Sequence, residues 1–427
     1  MINEVSFMTN SKSRNKILSY LFVFTLLIYI SFYGTLSIFI NNFLFNVTKD
    51  VALILLAIYS IAKVRLYLGN NYLNVLIATL LTLTIFGFLG TILSGNYIGY
   101  IYGFKITILP IFLLLFGVLI SMNTSFIKYE KLFLLIFIIS IAIWIMQYFL
   151  GIEQLINMGF NYGVNVKTYL GDLPRLPSMM GVPESYAFTL ALLGLLLANG
   201  ELFSGSKSSQ SLIRIFTITF LSLATIRNAI ILWIISEIMV FLFSFRNKSV
   251  KNFYLYASFL PFSLIIILVL IYYYIFFTNH NFSLFAYDSL IDRLDHWGLY
   301  LPGISSINGW IGFGLGSIGA ASRRTATLGY NSLDYAVDNQ YIALYQQFGI
   351  IGFLVFLILT FLILTLLYKN AINNKRKNAQ VAFSIFTATL IVSFFGNSLE
   401  VFPFNIMLWL IIGNGISQPI HLGMKRN

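Results

Sequence analysis

Several arginines stand where an apolar chain has no topological use for them. Arg227 lies in LATIRNAIILW, where two apolar runs meet with almost nothing between them. Arg175 lies in GDLPRLPSMMGVPESYA and Arg293 in YDSLIDRLDHWGLYL. A charge near the centre of a membrane span costs roughly 2.5–3.5 kcal/mol on insertion scales, and less towards the ends. Such a residue needs a partner, a water-filled cavity or an anionic ligand. A guanidinium suits phosphate, because its planar fork donates two hydrogen bonds to one group. For Arg227 the competing role is a side chain that snorkels to lipid headgroups. For Arg175 it is a loop residue paired to Asp172. The prolines and glycines around Arg175 predict an ordered turn rather than a strand. That turn delivers Arg175 and Glu184 to the mouth of the next span.

Residues 278–352 form the longest polar interruption of the chain, with five aspartates, three arginines and two of the three histidines. A loop of this length in a compact protein is usually functional. Asp288, Asp292 and Asp295 recur at helical spacing opposite Ile291, Leu294 and Trp297, which predicts a short amphipathic helix at the interface. Arg293 and Trp297 are one turn apart on one face. An aromatic beside a cation suits a sugar ring next to a charged group, and an ordinary interfacial tryptophan is the competing role. GWIGFGLGSIG holds Gly314-x-Gly316-x-x-Gly319, formally a dinucleotide fingerprint. No strand precedes it and no βαβ unit surrounds it, so it is not read as one. These glycines are expected to let the backbone approach a ligand or a neighbouring helix closely. Three scattered histidines and no cysteine predict no metal site, no disulfide and no thiolate chemistry.

The elements that must position these residues are membrane helices. Of 427 residues 59% are hydrophobic and only 9% charged, against about 25% charged in an average soluble domain. With about 20 apolar residues needed per crossing, about twelve spans are predicted. They fall near 17–40, 45–61, 72–93, 97–121, 131–150, 184–198, 212–225, 228–243, 253–277, 341–368, 381–395 and 404–416. The first run is too long for a signal-peptide core and reads as a retained span. The result is one all-α, polytopic membrane domain over 1–427. External loops are expected at 151–183 and 278–340, the larger before the third-last span. The net charge of +12 raises nucleic acid as a partner. The basic residues sit instead in short loops, at 12–16, 63–65, 128–131, 246–251, 369–377 and 425–426. That pattern places both termini and every basic cluster in the cytoplasm, with the polar loops outside. It predicts membrane lipid, and not nucleic acid, as the surrounding partner.

Four segments, in order, resemble the bacterial O-antigen polymerase and O-antigen ligase superfamily of membrane glycosyltransferases. RLPSMMGVPESYAFTLALL is similar to the family's segment of an arginine and a proline leading into a span. LATIRNAIILWI is similar to its outer arginine motif, with Ile226 and Asn228 in place of the usual small neighbours. DRLDHWGLYLPGISSINGWIGFGLGSIG follows its pattern of arginine, tryptophan and a glycine-rich run. DNQYIALYQQFGIIGFLVF resembles the opening of its last long span. Together they cover about 170–370. Ligases carry a histidine before the asparagine of the last segment, where this chain has Asp338-Asn339. The likeness is therefore to a repeat-unit polymerase, with ligase and flippase or transporter as the alternatives. The resemblance implies a GT-C-like fold in the bacterial cytoplasmic membrane, no cofactor, and an undecaprenyl-pyrophosphate-linked glycan as substrate. A chain-length regulator and a flippase are implied as partners. Arg227 and Arg293, supported by Arg175, would hold the departing pyrophosphate. Asp338, then Glu184 and His296, would accept the proton of the attacking hydroxyl. Trp297, Asn339, Tyr341, Arg323 and Arg324 would line the sugar site.

Overall fold

The computed structural model describes residues 22–40, 42–67, 71–123, 126–169, 173–245, 248–263, 266, 270, 297–298, 300–322, 337–372 and 376–417. The first six helices are α1 (Phe22–Phe39), α2 (Phe43–Tyr67), α3 (Asn71–Ser94), α4 (Tyr97–Gly103), α5 (Leu109–Asn123) and α6 (Ile127–Asn157). A π-helical turn, Phe104–Ile108, joins α4 to α5. Next come β1 (Lys167–Tyr169), β2 (Leu173–Arg175), α7 (Pro183–Asn199), α8 (Lys207–Ala224), α9 (Arg227–Leu242) and α10 (Lys248–Ser258). After α11 (Ile307–Ile311), the chain ends with α12 (Gln340–Ile372), α13 (Lys377–Val392) and α14 (Phe404–Ile416). Helix dominates because a segment in lipid must satisfy its own backbone hydrogen bonds. Hydroxyls inside the helices do the same, as when Ser31, Ser60, Thr217 and Ser236 donate to the carbonyl four residues back.

Among the described residues six stretches are long and apolar enough to cross a membrane: α1, α2, α3, α4 with α5, α6 and α12. The remaining apolar helices are shorter. α14 has 13 residues, about 20 Å at 1.5 Å per residue, against a hydrocarbon core of about 30 Å. It is buried along its whole length. Its Gly413 meets Gly117 of α5 backbone to backbone, each glycine leaving no room for a Cβ. Small residues permit such close helix approach where lipid gives no hydrophobic drive.

Long-range hydrogen bonds sort the helix ends into two groups. At one end Ser417 bonds Ser121, Arg376 bonds Ser417, Asn370 donates to Gly415 and Ile416 carbonyls, and Glu130 accepts from Glu201 and Leu202. At the other, Glu400 joins Thr107 and Gln340, Gln340 donates to Ser393, and Arg175 joins Thr225. α5, α12, α13 and α14 therefore each run from one end of the molecule to the other.

Two expectations change in detail. α6 continues to Asn157 past a kink at Gly151 (φ 79, ψ 161), so the loop expected from 151 begins later. The turn expected around Arg175 is a strand: β2 pairs antiparallel with β1, Lys167 facing Arg175 and Tyr169 facing Leu173. Pro174, which cannot donate to a ladder, is accommodated in a two-stranded ribbon where every strand is an edge. Of the ninth span, only residues up to Ser263, with 266 and 270, are described, its start lying in α10. Most of the large loop, including the expected amphipathic helix before Trp297, lies outside the described residues.

Candidate functional site

The β1–β2 ribbon brings the first two arginines together. Side chains alternate along a strand, so Lys167, Tyr169, Leu173 and Arg175 share one face. The guanidinium of Arg175 stacks on Tyr169, 3.7 Å from the ring centroid. Its Nε donates to Thr225 Oγ1 and its terminal nitrogen to the Thr225 carbonyl, both at 2.8 Å. Thr225 ends α8 in the left-handed region (φ 57), and α9 starts at Arg227, two residues on. This tight reversal is why the sequence shows two apolar runs meeting without a loop. Arg227 is exposed, donates to the Tyr169 hydroxyl and lies 5.6 Å from the same ring. Neither arginine forms an ion pair among the described residues. Two guanidinium groups thus meet on one tyrosine, with Lys167 opposite Arg175. Like charges held this close repel unless an anion joins them.

A second cluster surrounds Glu400, which is buried in the short turn between α13 and α14. Its carboxylate accepts from Thr107 Oγ1 (3.2 Å), Gln340 Nε2 (3.3 Å) and the Ala320 amide (3.3 Å). Burial raises its pKa, against the opposing pull of these donors and Gln347. The glycine-rich run packs over it. Gly319 (φ 89) leaves only 2.9 Å between a would-be Cβ and Glu400 Oε2. Gly316 (φ 77) lies against the Gly99 carbonyl of α4, and Gly103 faces the Gly316 amide. Of the two neighbours expected for these glycines, a ligand or a helix, the helix is present. Several buried polar atoms nearby have no partner among the described residues: Gln340 Oε1, Asn339 Nδ2 and Ser317 Oγ.

A third charged group sits at the start of α2. Asp50 lies 2.5 Å from Lys105 and 3.6 Å from Lys49. Lys49 also lies over the rings of Tyr33 and Phe402. The connection between α13 and α14, residues 393–403, borders all three clusters. Its Phe395 carbonyl accepts from Asn228 beside Arg227 at 2.9 Å, its Glu400 anchors the glycine run, and its Phe402 underlies Lys49.

The other expected site residues divide sharply. Asp338 and Glu184 are exposed, Asp338 two residues before α12 and Glu184 in the first turn of α7. A carboxylate in a first helical turn is also favoured by the helix dipole. Asn339, expected at the sugar, is buried, and its Oδ1 caps α12 by accepting from the amides of Tyr341 and Ile342. Tyr341 is fully buried, bonding the Leu390 carbonyl and packing on Phe394. Trp297 is also buried, in a small cluster with Tyr300, Ile318, Val337, Ile342 and Ala343. The asparagine–tyrosine pair and the tryptophan thus build the loop's own support instead of an open sugar platform. Their apolar surface is worth more inside than at the interface. Arg293, His296, Arg323 and Arg324 lie outside the described residues.

Two residues escaped the sequence reading. Tyr169 was legible only as an aromatic two positions from Lys167. Glu400 was one acid among several, although a lone carboxylate in NSLEVFPF, between the last apolar runs, is itself a signal. Among the described residues no group of three or more His, Cys, Asp or Glu side chains gathers as a metal site would. No protein-family model matches the chain, and no curated protein matches it.

Proposed function

We propose that this membrane protein is a glycosyltransferase that polymerises lipid-linked oligosaccharide repeat units. The observation that carries this is the convergence of Arg175 and Arg227 on Tyr169, with no carboxylate partner among the described residues. A pyrophosphate leaving group supplies the missing anion. In this reaction a hydroxyl of a new lipid-linked repeat attacks the anomeric carbon of the growing glycan. The carbon–oxygen bond to undecaprenyl pyrophosphate breaks and the glycan moves to the acceptor. Charge develops on the departing pyrophosphate, and fixed cations stabilise it in the transition state. Arg227 and Arg175 take that role at the ribbon, with Arg293 as the third cation. Asp338, exposed at the approach to α12, accepts the hydroxyl proton, with Glu184 and His296 as the other candidates. No metal or cofactor enters the scheme. The resemblance of segments 170–370 to O-antigen polymerases supports it. So does the absence of the ligase histidine before Asn339.

The ribbon end faces outward in this scheme, and the basic end faces the cytoplasm of a bacterium. A transport function would draw on Lys49, Asp50 and Lys105. Lys49 and Asp50 lie within two turns of the α2 start, whereas transporters bind near the midplane. That position favours a site at the outer mouth.

The test uses a bacterial host lacking its own polymerase. Arg227 and Arg175 are replaced singly by alanine and by lysine, membrane levels are matched, and surface glycan is resolved on a gel. Each alanine variant should lose about 10²–10³ in polymerisation rate, leaving single repeat units at the surface. A wild-type protein that restores no ladder to this host, yet attaches lipid-linked polymer to the surface in a ligase-deleted host, would instead be a ligase. An unchanged ladder would remove the arginines from the chemistry.

A further inference from the structure

A cavity lies at the end opposite the ribbon and takes no part in the reaction proposed above. It encloses about 900 Å³ between the ends of α7, α8, α9, α10, α12 and α13. Its floor is a closed polar triangle. Arg214 meets both oxygens of Glu237 at 3.2 Å through Nε and donates to Asn199 at 2.5 Å, and Asn199 donates to Glu237 at 3.1 Å. Lys251 and Lys377 complete the polar wall. Neither forms an ion pair among the described residues. Glu130, close enough to feel Lys377, is occupied by the amides of Glu201 and Leu202. The Arg214–Glu237 pair neutralises itself, so the cavity keeps two lysine charges. The facing wall is apolar and open: Ile238 is 54% exposed, Phe241 62% and Phe245 46%, with the two rings edge to face at 5.1 Å.

Two cations beside an exposed aromatic and aliphatic wall match a ligand with an anionic head and an acyl body. We infer that this cavity is a binding site for an anionic phospholipid, its phosphate between Lys251 and Lys377 and its chain along Ile238, Phe241 and Phe245. A free phosphate would satisfy the lysines and leave the apolar wall uncovered, and a zwitterionic lipid would bring its own cation to the lysines. Each lysine beside an anionic headgroup is worth about a fivefold gain in affinity.

The test is native mass spectrometry of the full chain titrated with phosphatidylglycerol, with phosphatidylcholine in parallel, and with inorganic phosphate as competitor. The wild type should retain one phosphatidylglycerol in preference to phosphatidylcholine. The double variant Lys251→Gln, Lys377→Gln should weaken that binding by about thirtyfold and leave phosphatidylcholine binding unchanged. Phe241→Asn, at an exposed position with both lysines intact, should also weaken phosphatidylglycerol. Equal binding of the two lipids by the wild type, or full phosphatidylglycerol binding by the double variant, would overturn the assignment. Displacement of the lipid by millimolar inorganic phosphate would overturn it too, by making the site one for a free anion.

Discussion

Tyr169 holds the proposed pyrophosphate site together, although it carries no charge. Its ring faces Arg175 and its hydroxyl accepts from Arg227. Tyr169→Phe keeps the ring under Arg175 and removes only the acceptor, so polymerisation should fall about fivefold, one net hydrogen bond. Tyr169→Ala removes both supports and should approach the loss seen for an arginine variant. Equal activity of all three proteins, at matched membrane levels, would show that the tyrosine does not position the guanidinium groups. Glu400 calls for a different experiment, because its role is structural. A carboxyl whose pKa is raised on folding contributes most below its unfolded value, about 4.3. That contribution is lost as pH rises towards the folded value. The thermal midpoint of purified protein should therefore decline as pH rises from about 4, and Glu400→Gln should flatten the decline. Glu400→Ala should lower the midpoint at every pH, since each orphaned buried donor costs about 1–3 kcal/mol. A pH slope that survives Glu400→Gln would assign it to another group.

At the scale of elements, the glycine-rich run is a docking surface for α4. Gly316 and Gly103 permit backbone contact that any Cβ would block. Gly316→Ala should abolish stable membrane accumulation, while Gly205→Ala, with open space around it, should be silent. Comparable loss from both would mean the expression assay reports something other than packing. The ribbon shows where sequence patterning stops. β1 and β2 are three residues each, too short for alternation to be read against the Pro and Gly that surround them. The α8–α9 reversal was legible, because Arg227 interrupts two apolar runs. The burial of Asn339, Tyr341 and Trp297 was not. In a mostly apolar chain a polar or aromatic residue at a helix start reads the same whether it caps the helix or meets a ligand.

For the whole molecule, composition alone pointed to an apolar, helical chain, and among the described residues six helices are long and apolar enough to cross a bilayer. The expected twelve spans included runs such as α7, α9, α13 and α14, which are 13 to 17 residues long. Several of these are buried by neighbouring helices along most of their length. Hydropathy cannot separate a helix buried in protein from one buried in lipid, because both interiors are apolar. Charge did separate the two ends. The lysine-lined cavity and the arginine ribbon lie on opposite ends of the helices, one proposed for a resident lipid and the other for a reacting one.

The central claim is most directly tested with purified protein in vesicles and a lipid-linked repeat unit as sole substrate. Lengthening of the lipid-linked glycan, with one undecaprenyl pyrophosphate released per unit added, is the expected result. Arg227→Ala should abolish both. Wild-type protein that leaves the repeat unit unextended, with intact vesicles and active control polymerase, would contradict the account.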